Sequence, residues 1–211
     1  MSTPIEKLNA LGQSVWRDSI SRKVLENGEF KKMIEDRIIR GVTSNPTIFH
    51  NAIAKTHDYD SALMPLAWAG WDTEKIFWQL AIEDIRAACD AFMPLYEETN
   101  GGDGFVSIEV SPNLANDTDG SVAQAQQLWA RVAKPNLMVK IPATKEGIPA
   151  IRKSLASGVN INITLIFSRD RYAEVMEAYF SGLEDRLGRH SSVFALAGPA
   201  HHRRGTLQAD H

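Results

Sequence analysis

The chain has 211 residues, 44% of them apolar and 23% charged, enough for one substantial core and ordinary for a globular protein. A formal net charge of −3, without a basic stripe interleaved with aromatics, excludes an electrostatic footprint for nucleic acid. No apolar run is long enough to span a bilayer, no signal-peptide pattern opens the chain, and Cys89, the single cysteine, leaves no disulfide within it. Cytoplasm is the expected compartment.

In chain order, Ser14–Asp18 reads as a short first strand, and the spacing of Phe30, Met33 and Ile34 predicts a helix over 28–37. A second strand, Ile38–Thr43, stops at Ser44-Asn45-Pro46, where the proline holds Asn45 extended. Residues 47–96 read as helix with breaks near Asp58 and Gly70-Trp71-Asp72. The last piece, Thr73–Tyr96, is long and amphipathic, and Asp72 and Thr73 compete to cap it. A glycine-rich turn at 100–104 leads into the third strand, Phe105–Val110, and a helix over 120–133 with Asp117 and Thr118 as capping candidates. The fourth strand, 137–144, precedes a helix over 147–156, and the fifth, Val159–Phe167, precedes a helix over 169–186. Strands that alternate with helices predict right-handed β-α-β crossovers and a parallel sheet. Residues 188–211 break the pattern. Only 192–197 could form a short strand, and the tail is expected to be irregular or non-native.

Strands of parallel sheets usually read as apolar on both faces, and these do not. In Leu137-Met138-Val139-Lys140-Ile141, a lysine interrupts an apolar strand on the face opposite Leu137, Val139 and Ile141. Ser107 and Glu109 share one face of the third strand, and Asn160, Asn162 and Thr164 one face of the fifth. Thr43 and Asn45 pair likewise in the second strand, and Ser14, Trp16 and Asp18 in the first. A β/α barrel with apolar faces toward its helices and polar groups inward fits all five. Asp18, Asn45, Glu109, Lys140 and Thr164 then fall at the C-terminal ends of their strands, where such barrels build active sites.

A lysine beside two carboxylates suits Schiff-base carbon–carbon chemistry: the amine attacks a ketone, the imine serves as electron sink, and carboxylates move the protons. No metal and no cofactor are expected. His50 and His57 lack a paired ligand at helical spacing, the other histidines crowd the C-terminal segment, and there is no glycine-rich phosphate loop. Lys145, a rival amine, reads as solvated at the start of a helix. Trp68, Trp71 and Trp78, at helical separations, read as core packing, and Cys89 as a buried thiol.

Two stretches, Gly41-Val42-Thr43-Ser44-Asn45-Pro46-Thr47-Ile48-Phe49 and 137–147, make the sequence resemble the transaldolase family over residues 5–187; Arg40 departs from that pattern, which commonly has Asp. The resemblance implies a (β/α)8 TIM-barrel enzyme of class I aldolase type. Such an enzyme moves a dihydroxyacetone unit between sugar phosphates in the pentose phosphate pathway. It assigns Lys140 as the Schiff-base lysine and Asp18 as acid/base for the sugar hydroxyl. Glu109 and Thr164 would hold the catalytic water; Asn45 and Asn162, with Thr43, would orient substrate. A fructose 6-phosphate aldolase-like enzyme, which releases free dihydroxyacetone, is the alternative. The family's three further strands, with the serine and arginine groups that hold the substrate phosphate, have no recognisable counterpart after the fifth, so only about the first five β/α units are expected, over 1–187, with both sheet edges open. A truncated chain of low solubility and weak or no activity is the expectation, or a half-barrel that pairs its edges with another chain.

Overall fold

A computed structural model describes residues 3–189. Five parallel strands pair in the order of the sequence: β1 (Trp16–Arg17), β2 (Gly41–Thr43), β3 (Phe105–Glu109), β4 (Leu137–Pro142) and β5 (Ile161–Thr164). Helices fill the crossovers: α1 (Pro4–Ala10) leads in, then α2 (Arg22–Glu26) and α3 (Glu29–Glu35) follow β1. After β2 come α4 (Pro46–Ala54), α5 (Asp60–Trp68) and the long α6 (Thr73–Glu98). A 3-10 turn (Pro112–Leu114) and α7 (Thr118–Val132) follow β3, then α8 (Gly147–Ala156) and α9 (Arg169–Arg189) follow β4 and β5. This is the β/α-unit architecture of the TIM-barrel family, with five units among the described residues.

Local chemistry fixes the starts of these helices. Asp72 caps α6 by accepting from Lys75 N at 2.8 Å, so Asp72 and not Thr73 holds that position; Asp117 caps α7 through Gly120 N at 3.0 Å. Thr3 and Glu6 form a reciprocal capping box on α1, an element the periodicity does not reveal.

All five strands are shorter than expected, and β2 and β5 are shortened most clearly by local backbone turns. Arg37 takes a left-handed φ of 58°, and Ile38 N donates to Met33 O at 2.9 Å, so residues 37–39 close α3 instead of extending β2. Leu165, at φ 63°, turns the chain out of β5, and Phe167 beyond it is 79% exposed, not a strand residue. At the other end, α9 continues through Gly188 and Arg189, three residues past the expected stop. The rest of the expected irregular tail, with its short strand at 192–197, lies outside the described residues.

The core forms where the apolar strand faces meet the helices. Val42, Val106, Ile108, Leu137, Val139 and Ile141 are fully buried in one cluster with Ile85, Cys89 and Phe92 of α6, Leu128 of α7 and Ile151 of α8. Burial pushes the Cys89 thiol up to about 12, leaving it an inert packing group, as its sequence context suggests. Phe92 meets Phe30 edge-on at 5.4 Å. Trp78 packs partly buried against this core and Trp71 against a smaller cluster around Tyr59 and Leu80. Trp68, at 78% exposed, does not belong to either, because α5 turns that face to solvent. Gly104, at φ 77°, makes the close turn into β3: a Cβ there would lie 2.6 Å from Tyr96 N, so only glycine fits.

Candidate active site

The second strand face carries the polar groups. Lys140 lies on β4 between Glu109 of β3 and Asn162 of β5, its register partners, and is only 4% exposed. Its Nζ stands 3.4 Å from Glu109 Oε2. Burial pushes the Glu109 carboxyl above its ordinary value, Lys140 pulls it back, and the negative charge of Asp18 adds to the rise. Asp18 follows β1 directly and is exposed at the strand end. One amine and two carboxylates therefore converge across the sheet at its C-terminal edge.

Beneath them a neutral network crosses the same face. Asn162 Nδ2 donates to Ser107 Oγ at 3.2 Å, and Ser107 Oγ donates to Thr43 Oγ1 at 3.0 Å. Thr43 closes β2 and Thr164 closes β5, two residues beyond Asn162 on its face and opposite Pro142. Asn45 sits apart from this network: its Oδ1 caps α4, accepting from Ile48 N at 2.8 Å, which leaves its amide N–H groups as the atoms available for other work. Of the residues singled out in the sequence, the structure thus gathers Lys140, Glu109, Asp18, Asn162 and Thr43 closely. It sets Thr164 at the rim and gives Asn45 a structural duty.

Lys145 is exposed past the end of β4, where the Thr144 hydroxyl accepts from Gly147 N at 2.9 Å to start α8, so it is no rival for the buried position. Ser107 is the member to which the sequence assigns a face but no role. Its only signal was that it shares a strand face with Glu109.

Among the described residues no three His, Cys, Asp or Glu side chains are grouped to hold a metal ion, and no helix is long and apolar enough to cross a membrane. His50 and His57 are both exposed, and His57 Nδ1 lies 2.9 Å from Asp60 Oδ2.

A parallel β/α sheet with a buried lysine beside carboxylates at the C-terminal strand ends is an arrangement capable of amine chemistry on carbonyl compounds. Residues 15–197 match the family model described as Transaldolase/Fructose-6-phosphate aldolase. The chain belongs to this family. It is 49% identical over 184 residues to a transaldolase of Thermobifida fusca (87% of this chain, 50% of the relative). It is 43% identical over 194 residues to one of Trichodesmium erythraeum (92% and 51%), and 46% identical over 177 residues to one of Mycobacterium tuberculosis (84% and 48%). The chain spans about half the length of the curated relatives it matches.

Proposed function

We propose that this chain carries the Schiff-base centre of a transaldolase, acting on sugar phosphates in the cytoplasm. It would transfer a dihydroxyacetone unit from sedoheptulose 7-phosphate or fructose 6-phosphate to an aldose phosphate. The observation that carries the reading is the Lys140 Nζ, buried on an inward strand face 3.4 Å from a carboxylate whose proton affinity is raised. In this reading Lys140 attacks the C2 ketone, and water leaves to form the imine. Asp18 takes the proton of the C4 hydroxyl as the C3–C4 bond breaks, and the bonding electrons pass into the imine as an enamine. The aldose phosphate departs, a second aldose accepts the three-carbon unit by the reverse steps, and water held by Glu109 and Thr164 hydrolyses the new imine. Asn45, Asn162 and Thr43 orient substrate hydroxyls. The imine itself is the electron sink, so the steps call for no cofactor. We assign the expected 1–187, extended to Arg189 by the end of α9, to one partial barrel domain on the same basis.

The test is borohydride reduction in the presence of fructose 6-phosphate, followed by peptide mass spectrometry. The expected result is an adduct on Lys140 that is absent from Lys140→Ala; an adduct on Lys145 instead overturns the assignment. The matched family also includes fructose 6-phosphate aldolases, and the two activities separate by acceptor dependence. Free dihydroxyacetone released without an aldose acceptor would identify the aldolase.

A further inference from the structure

We infer that Ser107 is a positioning residue that sets the hydrogen-bond polarity of the substrate-facing groups on both sides of it, an inference that rests on the transaldolase reading. Ser107 is fully buried on the inward face of β3 and reaches Asn162 on β5 and Thr43 on β2. A hydroxyl has one proton to give. Ser107 Oγ accepts from Asn162 Nδ2 and gives its own proton to Thr43 Oγ1. Thr43 then accepts once and keeps its proton for another oxygen. The same bond turns the Asn162 amide so that its NH2 faces β3 and its Oδ1 is left as an acceptor.

The two head-to-tail polarities of a chain of three neutral groups present opposite faces to a ligand. With the amide reversed, Ser107 would donate to Asn162, Thr43 would donate to Ser107, and the site would lose the Thr43 donor. The reversed amide would also turn its NH2 outward beside Lys140, its register partner, where a lysine paired to a carboxylate repels it. The observed polarity places an acceptor next to the attacking amine and a donor two strands away. A ketose offers both complements: hydroxyls to donate toward Asn162 and a ketone or hydroxyl oxygen to accept from Thr43. Ser107 touches no substrate and works through its neighbours. Its backbone carbonyl, which accepts from Ser44 Oγ at 2.9 Å, holds it in place.

The experiment measures the rate of borohydride trapping on Lys140 with fructose 6-phosphate, using the full 211-residue chain. Ser107→Ala slows trapping roughly three- to tenfold, the scale of one neutral hydrogen bond, and Ser107→Thr, which keeps the hydroxyl, recovers most of the rate. Thr43→Val shows a similar loss, and the double variant Ser107→Ala/Thr43→Val is no slower than either single one, because both break one chain. A merely structural serine lowers the unfolding midpoint but leaves the trapping rate per folded chain unchanged. If the unaltered protein forms no Lys140 adduct, the functional reading falls and takes this inference with it. If it does, and Ser107→Ala traps at the same rate, only the inference is overturned. Should Ser107→Ala not fold, the Asn162 side-chain amide protons of the unaltered protein decide by NMR: exchange as fast as in a free amide overturns the bond on which the inference stands.

Discussion

At the N-terminal end of the strands, Arg40 Nε lies 2.5 Å from Asp103 Oδ2, a charge contact rather than an aligned hydrogen bond, and Asp103 Oδ1 accepts from Ser14 at 2.7 Å. At the C-terminal end, Lys140 Nζ stands 3.4 Å from Glu109, and Asp18 adds a second negative charge nearby. The lower cluster is closed: Ser14 also accepts from Trp16 Nε1 at 2.9 Å, and the Trp16 ring covers Gly41. Ser14 before β1 and Arg40 before β2 are both held by Asp103, which leads into β3. The upper cluster is left longer, with two carboxylates to one amine, and burial raises the proton affinity of Glu109. One end of the sheet is tied shut and the other holds its charges more loosely, in keeping with the division between the two faces of β/α barrels. Arg40, where the family pattern commonly has Asp, belongs to the closed end, so that departure leaves the upper site untouched.

The sharpest break in this contrast comes from Glu109→Gln, which keeps shape and removes charge. Trapping of a ketose on Lys140 should slow by about 10²-fold, the lower range for loss of a general acid or base. The unaltered protein should also lose trapping rate on the acid side at a pH above the ordinary value of about 4.3, because protonation through the raised pKa removes the base. In Glu109→Gln that acid limb should disappear; if it stays, another group is responsible. Stability follows the same sign. A carboxyl that binds its proton more tightly when folded weakens the fold as pH rises from its unfolded to its folded value. The variant should therefore gain on the unaltered protein across that window in denaturation experiments.

Asp103→Ala acts on the other end. It strands a half-buried arginine and the Ser14 hydroxyl, and should destabilise the chain by about 3 kcal/mol in urea unfolding. The trapping rate per folded chain should stay unchanged. A trapping loss without a stability loss would mean the two ends are coupled and the contrast is misplaced.

How much of this was visible beforehand differs between the two ends. Lys140 betrayed itself because an amine in an apolar strand violates a simple period-two pattern, and Glu109 did the same on β3. The capping residue Asp117 and the order of the strands followed from equally local signals. The lower cluster did not, since Ser14, Arg40 and Asp103 look like surface residues until the sheet brings three strand starts together. The same holds for Arg22, Tyr59 and Asp84. Tyr59 OH donates to Asp84 Oδ2 at 2.7 Å and Arg22 Nε to Oδ1 at 2.9 Å, a buried cluster drawn from three distant segments. Burial holds the Asp84 carboxyl above its ordinary range despite both partners. Trp68 misled for the opposite reason. α5 is apolar around most of its circumference, so spacing alone could not say which face would be covered.

The smallest expected effect isolates shape from charge at the closed end. Gly41 has an ordinary backbone conformation, so no turn requires glycine there; what requires it is the ring of Trp16, which a Cβ would meet at 2.4 Å. The ring cannot swing aside freely, because Nε1 is hydrogen-bonded to Ser14, and Ser14 is in turn held by Asp103. Gly41→Ala should therefore cost about 1–2 kcal/mol, the range for overpacking a tight contact, read as a lower unfolding midpoint. Asp103→Ala releases Ser14 and so frees the ring to move. In the double variant Gly41→Ala/Asp103→Ala the alanine should then cost less than it does alone, a coupling that a thermodynamic cycle measures directly. Fully additive costs would show that the ring is held by something other than this chain of bonds, and that the closed end owes its rigidity to packing alone.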